Sequence, residues 1–353
     1  MQNLDKISLN FILSTERAGS TLLTSMLNMN PEALATIEEP FAYNLYKAYS
    51  KIKIWDSKTI EKYCNDFLLF SNGYLKIQFG SIEKLKEVLI YNQKKLNIQY
   101  VIKLTYLEFF PNKKKDKIRV IVDKQLHFHH HLNSLNTYFP KSKFIVLVRD
   151  PRDNVILKQE LFTSRKKNKT IYALAKSWKF IFGTILLFLK KIENDRYLIV
   201  KYEDLVKYPE IELNKVCDFL NIAYCPEMIN FQDNIKTTLN NFVSGLNEKS
   251  RNFYEKCLIS LTKKIDTNKV GIWENKLPKE SSDLIWTISS KIAKEFGYED
   301  NGSKKIFYSN FLYKDFYLNY IFKKKIITNI YKFFPYSAKI WIKNNLKRQK
   351  NDN

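Results

Sequence analysis

Flexible spacers are scarce in this chain: with 8 Gly and 9 Pro among 353 residues, no stretch has the composition of a long linker. Cysteine is scarce too. Cys64, Cys217, Cys225 and Cys257 stand apart with no C-x-x-C pair, which excludes a disulfide framework and a zinc knuckle and predicts a reducing, cytoplasmic setting. The N-terminal Met-Gln-Asn-Leu-Asp-Lys lacks the basic-then-apolar pattern of a signal segment, so no export is expected. The longest apolar run, Phe180 to Leu189, is shorter than the roughly 20 residues a spanning helix needs and reads as a buried helix. Acidic residues are the rarer sign. There are 36 Asp+Glu against 59 Lys+Arg, a formal charge of +23, which attracts nucleic acid, anionic membranes, acidic polysaccharides and phosphorylated small molecules alike.

A content of 45% hydrophobic and 15% aromatic residues suffices for a large core. The pattern predicts strands at Phe11-Ile12-Leu13, at YVIKLT from Tyr100, at IRVIVDK from Ile118, at Phe144 to Val148 and at YLIVK from Tyr197. Helical periodicity follows Ser20, begins again near Phe41, spans 58–97 in two pieces broken at Asn72-Gly73, and covers 170–192. Strands alternating with helices predict an α/β, P-loop-like three-layer domain with a central, mainly parallel sheet, whose ligands lie beyond the carboxyl ends of the strands. Residues 1–304 form this domain in the reading. Residues 305–353, rich in Lys and aromatics with helical spacing around Pro335, form a helical appendix suited either to packing on the core or to an anionic membrane surface.

The stretch NFILSTERAGSTLLTSML, residues 10–27, is strand, turn and helix in the order of a phosphate cradle. Placing Gly19-Ser20-Thr21 on the Gly-Lys-Ser/Thr of a Walker A loop puts Ser20 where that motif needs Lys, which disfavours a magnesium-bound triphosphate. An anion held by backbone N–H groups, a helix N-terminus, hydroxyls and Arg17 fits instead; a hydroxyl-capped turn without ligand is the plain alternative. Further strand ends carry Asp123-Lys124 and Arg149-Asp150-Pro151-Arg152-Asp153, and YEDL and KVGIWENKLPKES follow at Tyr202 and Lys269.

Taken together and in this order, these elements resemble the sulfotransferases that use 3′-phosphoadenosine 5′-phosphosulfate (PAPS), in the branch of carbohydrate and tyrosyl-protein sulfotransferases. The resemblance covers residues 8–300. It implies that Arg17, Ala18, Gly19, Ser20 and Thr21 form the 5′-phosphosulfate loop, and that Arg149, with Arg152 beside it, meets the 3′-phosphate. The resemblance implies a nucleotide contact for Tyr202 and a fold-over role for Lys269 and Gly271. It places Lys124 near the transferring sulfuryl group, where a cation offsets charge on the bridging oxygen. The base is Glu38 by the tyrosyl-protein pattern or Glu39 by the Glu-Pro of carbohydrate-type members. His127, His129, His130 and His131 are further base candidates, since the small-molecule branch uses His. Two positions depart from the family: Leu126 replaces a Pro, and Leu157 replaces the Ser that usually follows the first Arg by eight residues.

Residue by residue, plainer readings exist. Arg149-Asp150 could be a structural ion pair, Tyr202 a packing ring, Lys269-Gly271 a turn anchored by Trp273, and the Glu pair a helix N-terminal feature. A zinc site on His127 and His131 lacks Asp or Cys partners, so no metal is expected. The expected function is sulfuryl transfer from PAPS to a hydroxyl of a carbohydrate or glycolipid, with the C-terminal extension as a peripheral membrane contact. The competing readings are a P-loop-like kinase and a non-catalytic nucleic-acid or membrane binder. A nucleic-acid partner is disfavoured, since no helix-turn-helix, RRM signature or zinc finger is present.

Overall fold

The computed structural model describes residues 4–38, 41–70, 79–164, 169–232, 264–300, 302–304 and 338. The 305–353 appendix therefore lies outside the described residues except at residue 338, as does Glu39.

Five strands, β1 (Ser8–Leu13), β2 (Ala33–Ile37), β3 (Val120–Gln125), β4 (Phe144–Val148) and β5 (Tyr197–Lys201), form one sheet in the order β2-β3-β1-β4-β5. Every pairing is parallel. The strands are nearly continuous apolar runs because both faces are covered. Alternation sorts the side chains: Leu9, Phe11, Leu13, Phe144, Val146 and Val148 enter one core, while Ile12, Ile145 and Leu147 enter the other.

The second core is closed by α1 (Ser20–Met29) and α10 (Pro209–Leu220), through Leu23, Met26, Leu213 and Val216. The first is larger and more aromatic. It takes α2 (Phe41–Tyr49), α3 (Ser57–Phe70), α4 (Ile82–Asn92), α5 (Ile98–Leu107), part of α8 (Ile171–Leu189) and part of α12 (Lys279–Glu295). The shorter helices are α6 (Leu132–Tyr138), α7 (Pro151–Ser164), α9 (Tyr202–Lys207) and α11 (Trp273–Lys276). α8 is long and apolar enough to cross a membrane by length and composition; half of its most apolar window is buried in the fold, where it packs against α7 and α12.

The structure corrects one expected strand and adds another. YVIKLT is not a strand but lies in α5. The Asn97 side chain accepts the Tyr100 N–H as an N-cap, and Ile98, Val101, Ile102, Thr105 and Tyr106 are buried at helical spacing. The β-branched residues that suggest a strand are fitting a helix to the core. Conversely, ALATI at 33–37 is a strand that its small residues conceal. It pairs with β3 from Ala33↔Val120 to Ile37↔Lys124, and the Asn28 side chain completes the backbone of Ala35 by accepting its N–H at 2.8 Å and donating to its C=O at 2.6 Å. This strand delivers Glu38.

Candidate active site

β1 leads by α1 toward the β2 edge, whereas β4 leads by α7 and α8 toward the β5 edge, so the chain diverges at the carboxyl ends of neighbouring strands β1 and β4. Such a divergence opens a crevice for ligands. The turn after β1 and the Arg149 segment after β4 flank it.

The turn is held from several sides. Ser14 Oγ donates to the Leu147 carbonyl at 2.8 Å, tying the end of β1 to β4. Arg17 has φ 62°, a left-handed conformation, and Gly19 has φ 92° as the N-cap of α1. A side chain at Gly19 would meet the Tyr202 ring, because an added Cβ would lie 2.3 Å from Tyr202 Cδ2. Glycine is therefore required both by conformation and by the close approach of the ring. Ala18 and Ser20 are buried. The first amides of α1, from Ser20 and Thr21 onward, have no partner within the helix, the arrangement that accepts an anion.

Tyr202 in turn supports Arg149. The guanidinium carbon lies 4.1 Å from the Tyr202 ring centroid, Nη1 donates to the Arg17 carbonyl at 3.4 Å, and Nη2 donates to the Lys269 carbonyl. Arg149 is 3% exposed and its Nε has no hydrogen-bond partner, a buried donor left over for a ligand. Burial raises the Tyr202 pKa, opposed by the Arg149 charge. Arg152 sits beside it with different partners. Its fork is held by Asp150 at 3.0 and 2.7 Å, and its plane lies 3.8 Å from the Trp273 ring centroid and 4.9 Å from that of Trp286. Asp150 N–H is accepted by Glu203 Oε1 at 2.9 Å, whose Oε2 accepts the Tyr298 hydroxyl at 2.7 Å.

On the opposite side of β1, Lys124 closes β3 and Glu38 follows β2. Lys124 is 1% exposed, and its Nζ contacts Glu38 Oε1 at 2.8 Å. The Glu38 N–H also donates to the Lys124 carbonyl at 2.8 Å. Glu38 has φ 56°, so two of the four non-glycine residues with positive φ among those described are Arg17 and Glu38. A left-handed residue with a β-carbon costs about 1–2 kcal/mol and persists where surrounding contacts enforce it. Next to Lys124, buried Asp123 accepts from Thr36, Tyr106 and Gln125 at 3.2, 2.7 and 3.1 Å. Desolvation pushes its pKa up to about 7 despite those bonds.

His129 and His130 lie on a 3-10 turn, Phe128–His130, with His127 and His131 as its flanking caps, so His127 and His131 do not share an α-helical face. His129 and His130 rings lie 3.9 Å apart, and His131 stacks on Tyr43 at 4.1 Å. No group of three or more His, Cys, Asp or Glu suited to a metal occurs among the described residues.

Three residues of α7 take a part in the site that the sequence did not assign to them. Asp153, fully buried, accepts the N–H groups of Gly271 and Trp273 at 2.8 and 3.1 Å. Asn154 Nδ2 donates to the Glu16 carbonyl at 2.9 Å. Buried Lys158 donates to Thr15 Oγ1 and lies 3.5 Å from Glu16 Oε2. Beside Leu157, which stands at the family's Ser position, Lys158 is thus the side chain that enters the turn. Their spacing at 153, 154 and 158 puts them on one face of the helix, but a polar face ordinarily meets solvent, and the inward turn is visible only in the fold.

Comparison with known proteins adds the family. Residues 10–226 match the model described as the sulfotransferase family. Among solved structures, the sulfotransferase domain from the Synechococcus PCC 7002 olefin synthase superposes with TM-score 0.53 and 21% identity over 85% of this chain and 97% of that one. The sulfotransferase domain from the curacin biosynthetic pathway gives TM-score 0.51 and 21% identity over 83% and 98%. No curated protein matches the chain. The structural likeness speaks for the fold and the family match spans most of the described α/β core; this chain belongs to the sulfotransferase family and is an enzyme of sulfuryl transfer.

Proposed function

We propose that the sulfuryl donor is PAPS and that the acceptor is a hydroxyl of a carbohydrate or glycolipid. The observation that carries this reading is the convergence of an anion turn, the Arg149 fork and the Lys124–Glu38 pair at the carboxyl edge of one sheet. The donor supplies an activated S–O bond between sulfuryl group and phosphate. The chain's residues supply the rest. Arg17, Ala18, Gly19, Ser20 and Thr21 present N–H, hydroxyl and guanidinium donors to the 5′-phosphosulfate. Arg149, supported by Tyr202, meets the 3′-phosphate with its unpartnered Nε, and Lys269 and Gly271 flank it from the other side.

Glu38 takes the proton from the acceptor hydroxyl as its oxygen attacks sulfur, and the bond from sulfur to the phosphate oxygen breaks on the opposite side. Lys124 offsets the negative charge that develops on that leaving oxygen. In the free protein the two side chains hold one another at 2.8 Å, which keeps Lys124 extended in a buried position beside the carboxylate. Arg152, whose fork is held by Asp150 and whose plane lies on two tryptophans, shapes this site chiefly through packing and keeps Nη1 as a second buried donor without a partner.

The carbohydrate assignment rests on the Glu39-Pro40 element and on the +23 charge, which favours an anionic glycan or glycolipid headgroup. Transfer of radiolabelled sulfuryl from PAPS to pooled glycans, glycolipids, tyrosyl peptides and phenols tests it. Label in glycans or glycolipids is expected. Label confined to peptides or phenols would reject the acceptor class, and no protection or transfer with PAPS would reject the donor.

A further inference from the structure

Arg149 and the Lys269–Trp273 segment meet through one side chain, that of Asp153. Its Oδ2 accepts the Gly271 N–H at 2.8 Å and lies 3.8 Å from Arg149 Nη2, while Oδ1 accepts the Trp273 N–H at 3.1 Å. Arg149 returns the connection by donating to the Lys269 carbonyl and, through Nη1, to the Arg17 carbonyl at 3.4 Å. The circuit runs from α7 to the strap, from the strap to Arg149, and from Arg149 to the anion turn. Each link joins two segments that face the crevice.

Gly271 is adapted to this latch. It has φ 70°, yet nothing lies within 4 Å of where a Cβ would be, so the conformation that aims its N–H, and not lack of space, selects glycine. The next fixed point is Trp273, whose ring covers the Arg152 guanidinium at 3.8 Å. Asp153 is fully buried. Burial pushes its pKa up while the Arg149 charge and the two N–H donors pull it back. A buried carboxylate is costly unless charged and hydrogen-bonded partners meet it, and here the partners all belong to the cofactor-facing segments.

We propose that Asp153 is the positioning residue that latches the Lys269–Trp273 strap to Arg149, so that strap and guanidinium grip the donor's 3′-phosphate as one unit. The inference rests on the assignment of PAPS as donor. It makes recognition of the 3′-phosphate depend on a residue that does not itself touch the nucleotide. The 5′ side is served by the turn at the start of α1, which the circuit touches only at the Arg17 carbonyl, 3.4 Å from Arg149 Nη1, while Asp153 makes no contact with it.

Two nucleotides separate these roles: adenosine 3′,5′-bisphosphate, and AMP, which lacks the 3′-phosphate. Calorimetric titration of the full chain is expected to show wild-type preference for the bisphosphate. Asp153→Asn keeps the shape but removes the charge, and should weaken bisphosphate binding by about 10-fold or more while AMP binding stays within about 2-fold. Gly271→Ala attacks the same latch from the strap and should reduce the same preference. Amide hydrogen exchange at Gly271 and Trp273 should accelerate in Asp153→Asn, at unchanged melting temperature of the core. Wild-type selectivity retained in both variants would overturn the latch. Equal loss of both nucleotides would also overturn it, as general loosening. A wild-type protein that does not distinguish the two nucleotides would instead bring down the donor assignment, and the latch with it.

Discussion

At the β2–β3 side of the strand edge, Lys124 and Glu38 rest on one side-chain contact of 2.8 Å, with the carboxylate side chain 29% exposed. At the β4–β5 side, Arg149, Asp150, Arg152, Asp153, Tyr202 and Glu203 share hydrogen bonds, ion pairs and ring contacts, and Trp273, Trp286 and Tyr298 close over them. Binding a doubly anionic nucleotide benefits from groups fixed in advance, because little freedom is then lost on association. Proton removal asks for the opposite: a carboxylate with solvent access and a partner it can leave. Under the proposed assignment, the densely bonded half would serve as the nucleotide socket and the Lys124–Glu38 pair as the half that parts for the acceptor.

The largest expected effect sharpens the chemical half. Glu38→Gln should lower turnover by about 10²- to 10⁴-fold with bisphosphate affinity within about 2-fold, because a general base acts in the transition state. Steady-state kinetics beside calorimetry checks it, with Glu39→Gln as the matched variant. Full activity in Glu38→Gln and loss in Glu39→Gln would move the base by one residue. The socket half is probed by Arg149→Ala, expected to weaken bisphosphate binding by about 2–4 kcal/mol, whereas Arg152→Ala should chiefly lower melting temperature by uncovering Asp150 and both tryptophans. If the two variants behaved alike, the division between ligand-facing and packing arginine would fail.

A smaller effect lies beneath the chemical half, at Asp123. Its pKa in the fold, about 7, stands above the ordinary carboxylate value, so the native state holds a proton that the unfolded chain releases first. Stability contributed by the protonated form is therefore fully present at low pH. It falls as pH rises from about 4 to about 7, by up to a few kcal/mol in this interval, and levels off above. Asp123→Asn should remove that slope, as urea denaturation at several pH values would show. The smallest effect should come from Leu157→Ser, which restores the family's hydroxyl beside Lys158. A gain in bisphosphate affinity of about 1 kcal/mol or less is expected, and a loss would mean that Lys158 already occupies the position.

The strands β1, β3, β4 and β5 were legible because a strand buried on both faces leaves an unbroken apolar run, as Phe144 to Val148 does. β2 was hidden by Ala33 and Ala35, whose small side chains carry no strand signal, and YVIKLT deceived because its capping residue, Asn97, lies outside the run. Site residues at strand ends could be found by motif. Contacts between them could not: Lys124 and Glu38 are 86 residues apart, and nothing local in either segment announces the other. Asp153 and Lys158 were missed for a different reason. On a helix, charges are ordinarily solvated, and only the fold shows that this face turns inward.

The central position of β1 bears on how the chain comes to fold. Its neighbours β3 and β4 lie far downstream, and the Ser14 hydroxyl waits for the carbonyl of Leu147, 133 residues later. At ribosomal speeds of about 5–20 residues per second, that interval is on the order of ten seconds. Through it, Phe11, Ile12 and Leu13 are synthesised but lack the strand that will cover their β4 edge. Long-range parallel pairing of this kind makes folding slow and leaves an adhesive segment open to other chains. Expression at lower temperature, or with a holdase that covers short apolar strands, is the practical consequence, and truncations ending before residue 148 should aggregate.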